Sequence, residues 1–276
     1  MLNFEKLQGT GNDFIIFNAI KDKIPTYSDL AIKVCDRHFG IGADGMIIVD
    51  ESDIADIKMI FYNADGSEAP MCGNGIRCFA KYVYDNKIIT KTSFSVETLG
   101  GIMKPELVIS NNEVTHVKVN MGSPIFSTTD FPINTTEKDF INKDLEIDGV
   151  KYKISSLMIG TIHTVIKVNN LEETEVERIG PLIEKHPLFP LKTNVNFFEI
   201  VDEENINLKT WERGAGLTLA CGTGATATAI ISSILYNTTK TVNIHIDGGT
   251  LKIEQTENDV YMTGPAKSIC KGVYNF

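Results

Sequence analysis

The 276-residue chain has little that would take it into a membrane, a secretory route or a nucleic-acid groove. No apolar run approaches the roughly 20 residues that a bilayer-spanning helix needs. The opening MLNFEKLQGTGNDF has no basic segment leading into an apolar stretch and a small-residue cleavage site, so no secretory leader is expected. Basic residues are outnumbered: 26 Lys and Arg against 36 Asp and Glu give a net charge of −10 and a pI near 5.0. With no basic stripe to neutralise phosphates, nucleic acid is not expected as a partner. An anionic small molecule is still allowed, because local fields can oppose net charge. Cysteines are few, odd in number at five, and irregularly spaced, which fits a reduced, cytoplasmic chain. There is no Cys-x-x-Cys pair, so no metal site is expected. Neither a G-x-G-x-x-G opening a helix after a strand nor a G-x-x-x-x-G-K-[ST] loop occurs, which leaves nucleotide binding without support. Low-complexity segments and linkers are lacking as well.

What is present is an ordinary globular composition, 42% hydrophobic and 22% charged. Strand-type runs are expected at 13–18, 45–50, 57–63 and 113–121 in the first half. In the second they fall at 151–159, 162–168, 194–201, 206–212, 241–247 and 250–255. Helices are expected over 28–39, with Ser28 as N-cap and Gly40 as stop, and over 74–86, 173–186 and 222–237. The third of these carries a Gly-Pro interruption.

The two halves also repeat. Gly9-Thr10 recurs as Gly160-Thr161 at an offset of 151, Cys72 as Cys221 at 149, and Gly100-Gly101 as Gly248-Gly249 at 148. Any one match is weak. Three in order, at nearly constant offset and with the same strand–helix sequence, point to two similar halves with a ligand site between them.

The recurring cysteines stand in Cys-Gly-x-Gly at the expected helix starts. Glycine there allows close ligand approach. The first helical amides have no intrahelical partner and, with the helix dipole, favour an anion. The same field favours a thiolate. Two such devices facing one carboxylate suit inversion of an α-carbon: one sulfur removes the proton and the other delivers one to the opposite face. Cys35, Cys78 and Cys270 read instead as small buried hydrophobes. A cysteine-phosphatase loop would need an arginine. Arg77 lies near Cys72, but the Cys221 loop has none, and the duplication would go unexplained.

The motifs GTGNDF (9–14), GIGADG (40–45), FYNADGSEAPMCGNGIRC (61–78), NVNF (194–197), WERGAG (211–216), ACGTGA (220–225) and MTGPA (262–266) together resemble the diaminopimelate epimerase family over nearly the whole chain. The resemblance implies an α/β (α+β) fold of two pseudo-symmetric halves, each a curled mixed sheet around a central helix. The expected boundaries are 1–119 plus 263–276 and 120–262. It further implies a homodimer, an amino-acid substrate and no cofactor. Cys72 and Cys221 match the catalytic pair, the first a proton donor and the second an acceptor in one direction. Gly73, Asn74, Gly222 and Thr223 match the helix-start residues that hold the reacting carboxylate. Asn12, Asn63 and Asn194 match substrate-binding asparagines. Glu212 and Arg213 match a Glu-Arg pair at the substrate, where an arginine fork suits a distal carboxylate. His163 and Glu212 are the expected tuners of the cysteine pair.

Two stretches depart from the family pattern. Gly160-Thr161-Ile162-His163 stands where Gly-Asn-Pro-His is usual, so Thr161 offers one hydroxyl in place of a substrate-binding amide. Leu217 stands where Glu is usual after Gly-Ala-Gly. Neither touches the two-thiol chemistry. The expected reaction is therefore cofactor-independent epimerisation, LL- to meso-diaminopimelate first, with lanthionine or histidine as alternative substrates. A non-catalytic amino-acid-binding protein is the alternative from another class.

Overall fold

The computed structural model describes residues 1–24 and 26–275. Among them are nineteen strands and four helices. The chain divides into two compact units, Met1–Asn120 with Thr263–Phe276, and Met121–Met262.

The first unit opens with β1 (Leu2–Gly9), β2 (Asn12–Asn18), α1 (Tyr27–Cys35), β3 (Gly45–Asp50), β4 (Ile57–Asn63), β5 (Glu68–Ala69) and α2 (Gly73–Asp85). It continues with β6 (Val96–Thr98), β7 (Gly101–Met103) and the hairpin β8 (Glu106–Ser110) and β9 (Glu113–Gly122). The second unit holds β10 (Phe140–Ile147), β11 (Val150–Ile159), β12 (Thr161–Lys167), α3 (Val176–Glu184), β13 (Asn194–Ile200), β14 (Asn205–Glu212) and β15 (Gly216–Thr218). It ends with α4 (Gly222–Leu235), β16 (Thr241–Ile246) and β17 (Gly249–Gln255). β18 (Val260–Pro265) straddles the boundary, and β19 (Lys267–Tyr274) returns to the first unit.

Strand order in the first unit is β19-β1-β2-β3-β4-β6-β7, with β5 on β4. In the second it runs β10-β11-β12-β13-β14-β16-β17, with β15 on β14. The two orders are the same sheet built twice, and the pairing senses agree at every step. β2–β3 and β12–β13 are parallel, as are β4–β6 and β14–β16, while the remaining neighbours are antiparallel. This is a mixed α+β fold. Gly100 N–H donates to Pro70 O, and Gly248 N–H to Leu219 O, each two residues before a helix-start cysteine.

The strand registers sharpen the repeat. β2 and β12 start at residues 12 and 161, β3 and β13 at 45 and 194, and α2 and α4 at 73 and 222, a common offset of 149. Thr161 therefore corresponds to Asn12. The 151-residue match of Gly9-Thr10 with Gly160-Thr161 slips, because the β1–β2 turn spends two residues, Thr10 and Gly11, where β11–β12 spends Gly160 alone. Thr10 and Gly160 both lie at positive φ, +54° and +67°.

The central helices α2 and α4 are buried almost all round, as a helix enclosed by its sheet must be. α4 packs on strands β11 to β14, β16 and β17. Its sequence GTGATATAIISSIL has weak helix propensity, so burial of Ala225, Ala227, Ala229, Ile230 and Ile231 in the second unit's core stabilises it. α1 and α3 pack elsewhere on their own sheets and have separate apolar clusters.

Two helices differ from expectation. α1 starts after Thr26 with no side-chain cap, because Ser28 Oγ donates to Gly66 O instead. It ends at Cys35 rather than residue 39: Asp36 turns extended, and its carboxylate accepts the His38 and Phe39 amides. α3 is shorter than 173–186, since Asn170 Oδ1 draws the amides of Glu172 and Glu173 into a turn. Its Gly180-Pro181 lies inside the helix, and Gly180 is needed there, because an added Cβ would lie 2.7 Å from Trp211 Cγ. Cys35 and Cys78 are buried, but Cys270 is exposed, because β19 is the sheet edge and is exposed at every residue from Lys267 to Lys271.

Candidate active site

In the first unit, Cys72 caps α2, with the Gly75 amide 3.5 Å from its sulfur. Around it runs a chain of hydrogen bonds whose direction its ends impose. Arg77, fully buried on α2, can only donate, and its Nη1 donates to Asn74 Oδ1 at 2.9 Å. Asn74 Nδ2 donates to Asn12 Oδ1 at 3.3 Å. Asn12 Nδ2 donates to Asp44 Oδ2, an acceptor, at 2.6 Å. Asn12 Oδ1 is thereby turned to the cysteine, and Cys72 Sγ–H donates to it at 3.7 Å. Arg77 also donates to Thr10 Oγ1, Gly73 O and Pro265 O.

Asp44 is held in turn by Arg37 at 2.7 Å and by the Asp13 amide. Asp13 pairs with Lys6 at 2.8 Å and Arg37 at 3.0 Å. Burial works to raise the Asp13 pKa, but hydrogen bonds from Lys6, Arg37 and the Asp44 amide outweigh it and hold the carboxyl below the usual range. Asn63 is brought into a turn rather than onto Cys72: its Nδ2 donates to Ser67 Oγ at 3.0 Å.

In the second unit, Cys221 caps α4 and is buried. Its sulfur lies 3.5 Å from Thr223 Oγ1. Burial, and then the Glu212 carboxylate beside it, push this thiol well above its ordinary pKa, against the opposing Thr223 hydroxyl and Gly224 amide. Glu212, at the end of β14, is itself raised by burial, partly offset by hydrogen bonds from Thr218 Oγ1 at 2.6 Å and from the Cys221 thiol. Glu212 thus favours the protonated form of Cys221, whereas the thiol's hydrogen bond to Glu212 favours the ionised carboxylate.

Asn194 Oδ1 accepts the Arg213 amide at 2.7 Å, fixing the strand end that carries the Glu-Arg pair. The Arg213 side chain is exposed and donates to Leu191 O at 2.8 Å. Thr161 starts β12, and an added Cβ on the preceding Gly160 would lie 3.3 Å from Thr223 Cγ2, which puts that turn against the α4 start. Leu217 on β15 is exposed. His163 is fully buried, paired with Asn196 at 3.1 Å, and its pKa is pushed down to about 3 by burial and by Arg213.

Each half therefore assembles its own set: Asn12, Cys72, Gly73 and Asn74 in one, and Thr161, Glu212, Cys221, Gly222 and Thr223 in the other. The residues that orient these sets were not expected from sequence. Asp44 and Arg77 had a signal, since they lie in the GIGADG and GNGIRC motifs. Asn196 had the same signal, as the third residue of NVNF, and Thr218 had none beyond proximity to WERGAG. Among the described residues, no cluster of three or more His, Cys, Asp or Glu side chains is arranged to hold a metal ion.

A model of the family "Diaminopimelate epimerase" matches residues 4–127 and 155–269. A curated diaminopimelate epimerase of Caldanaerobacter subterraneus subsp. tengcongensis is 50% identical over 272 residues, covering 98% of each chain. That of Alkaliphilus metalliredigens is 49% identical over 275 residues, covering 99% of this chain and 97% of its own. Among solved structures, a Bacillus anthracis phenazine biosynthesis protein of the PhzF family has the same fold. It matches with a TM-score of 0.70 at 16% identity, covering 98% of both chains.

Proposed function

The chain belongs to the diaminopimelate epimerase family, and on that premise we propose that it inverts an α-carbon of diaminopimelate, LL to meso, with Cys72 and Cys221 as the acid–base pair. The observation that carries the assignment of roles is the contrast between the sulfurs' partners. Cys221 lies beside a carboxylate that can take its proton, whereas Cys72 donates to an amide oxygen that cannot. The Cys221 thiol passes its proton to Glu212, and the thiolate removes the substrate's α-proton. Cys72 Sγ–H then protonates the opposite face, leaving the electron pair on its own sulfur. The charge that builds on the substrate carboxylate is met by the first amides of α2 and α4, at Gly73, Asn74, Gly222 and Thr223. Asn12, Asn63, Asn194 and Arg213 bind the remainder of the substrate, with His163 beside them. The reverse reaction exchanges the roles of the sulfurs.

No cofactor takes part in this scheme. The protein acts as a homodimer in the cytoplasm. Exposed Ile269 and Val273 on edge strand β19 support self-association, and free cysteines at all five positions suit a reducing compartment.

A second reading keeps the chemistry and changes the substrate. Thr161 occupies the position that corresponds to Asn12, with a shorter side chain and no amide, and Leu217 offers no charge. These favour lanthionine or histidine. The deciding experiment incubates reduced protein in D₂O, without pyridoxal phosphate, with LL-diaminopimelate, lanthionine and L-histidine separately. Deuterium at the α-carbon is read together with chirality. Exchange with inversion of diaminopimelate is expected. Exchange of another substrate alone moves the activity to it. Tight binding with no exchange of any would mean a binding protein and overturn the catalytic reading.

A further inference from the structure

His163 and Asn196 form a buried polar pair where the first unit is apolar. At the common offset of 149, His163 corresponds to Phe14 and Asn196 to Ile47. Phe14 and Ile47 are 1% and 0% exposed, and both touch the position of a Cβ on Gly75, three residues into the Cys72 motif. Asn196 meets Gly224 in the same way: an added Cβ on Gly224 would collide with Asn196 Oδ1 and lie 3.3 Å from Cys221 Sγ. The duplicated scaffold thus shows that the fold needs only apolar groups here. A polar pair in their place costs desolvation and calls for a role.

The hydrogen bonds define that role. Asn196 Nδ2 donates to the Thr164 carbonyl at 3.1 Å, and a carbonyl can only accept. Asn196 Oδ1 accepts from Thr210 Oγ1 at 3.0 Å. The amide orientation is therefore fixed, and its second N–H meets His163 Nδ1 at 3.1 Å. Nδ1 must accept. The ring proton then sits on Nε2, which is buried and has no hydrogen-bond partner among the described residues.

We infer that Asn196 is a positioning residue that locks His163 as the neutral Nε2–H tautomer, so that His163 offers the site a fixed N–H donor at Nε2 and not a base. The groups facing the ring are consistent with a fixed neutral state. Leu157 on β11 and Asn194 on β13 are its strand neighbours, α4 carries no titratable side chain, and the charged group that acts on it is Arg213, which disfavours imidazolium.

The test is nitrogen-15 NMR of histidine-labelled protein, with the His163 signals identified by their loss in His163→Gln. The expected spectrum has an unprotonated Nδ1 and a protonated Nε2, unchanged across neutral pH. A protonated Nδ1, or titration of His163 near its ordinary value, would overturn the inference. The isosteric Asn196→Asp places a carboxylate against Nδ1 and is expected to move the proton there. Turnover should then fall by at least about tenfold in kcat, toward the ~10⁴-fold that a wrong histidine tautomer costs in a catalytic triad. A new pH inflection should appear with KM changing little, while the melting temperature falls, because the Thr164 carbonyl loses its donor and meets a buried carboxylate. Wild-type kinetics in that variant, with its tautomer switched, would remove the donor role. The inference rests on the epimerase reading for its turnover arm only. The wild-type spectrum needs no substrate, so a tautomer result stands even if diaminopimelate is not turned over.

Discussion

The helix of the first unit starts at a cysteine that faces an amide, and the helix of the second at a cysteine that faces a carboxylate. Strand order, pairing sense and helix position are otherwise repeated at a constant offset. The polar chain Arg77–Asn74–Asn12–Asp44 of the first unit corresponds, position by position, to Thr226, Thr223, Thr161 and Thr193 in the second. Conversely Asn63, Phe14 and Ile47 correspond to Glu212, His163 and Asn196. The backbone was kept and the polarity around each sulfur was rewritten. This teaches that the scaffold supplies only a cysteine at a helix start. What each sulfur meets is decided by side chains on the neighbouring strands, Asn12 on β2 and Glu212 on β14. A reaction that takes a proton from one face and returns one to the other requires similar geometry but unequal protonation at the start.

The largest expected effect comes from removing either sulfur. Cys72→Ala and Cys221→Ala should each lower epimerase turnover by roughly 10³-fold or more, measured by chirality-resolved product formation. Cys35→Ala should not, since that thiol is buried at the end of α1, where desolvation pushes its pKa to about 12. An active Cys221→Ala enzyme would break the comparison. Glu212→Gln should fall between, because the thiol remains and only its proton acceptor is lost.

Stability sharpens the same comparison at Arg77 and Thr226. Arg77→Ala strands the acceptors Thr10, Gly73, Asn74 and Pro265 in a dry site and leaves a cavity, and should cost about 3–5 kcal/mol in urea unfolding. Thr226→Ala loses a single bond to Gly222 O and should cost about 1 kcal/mol. Equal costs would show that the buried guanidinium is not what holds the first half-site.

A smaller effect separates the halves by pH. Asp13 has a folded pKa below its ordinary value of 3.8, and its counterpart in the second unit is Ile162. A depressed carboxyl contributes stability above its unfolded pKa and loses it as pH falls through the folded one. The protection factors of the β1–β3 amides should therefore fall below about pH 4, and more than those of β11–β13. Asp13→Asn should flatten that difference. No difference in the wild type would remove Asp13 as a titrating tie.

Much of the candidate site was legible because its residues stand in short motifs. Cys-Gly-x-Gly at a helix start needs no tertiary information to be recognised. The duplication was legible too, although one of its three anchors slipped by two residues, since a two-residue turn and a one-residue turn reach the same strand start. Helix ends were read less well, because Asp36 and Asn170 take over backbone amides that periodicity assigns to a helix. Cys270 was misread because edge position is a property of the sheet, invisible in a local pattern.

The sequence by itself determined the two cysteines, their glycines and the repeated order of strands and helices. Those features depend on residue type and spacing along one chain. Only the tertiary structure decided that Asn12 turns its oxygen to Cys72, that Glu212 lies beside Cys221, and that Asn196 fixes the proton on His163. A hydrogen bond's direction depends on which acceptor or donor stands at the far end of each amide. At Asn12 that end is Asp44, 32 residues along the chain, and at Asn196 it is the carbonyl of Thr164, also 32 residues away.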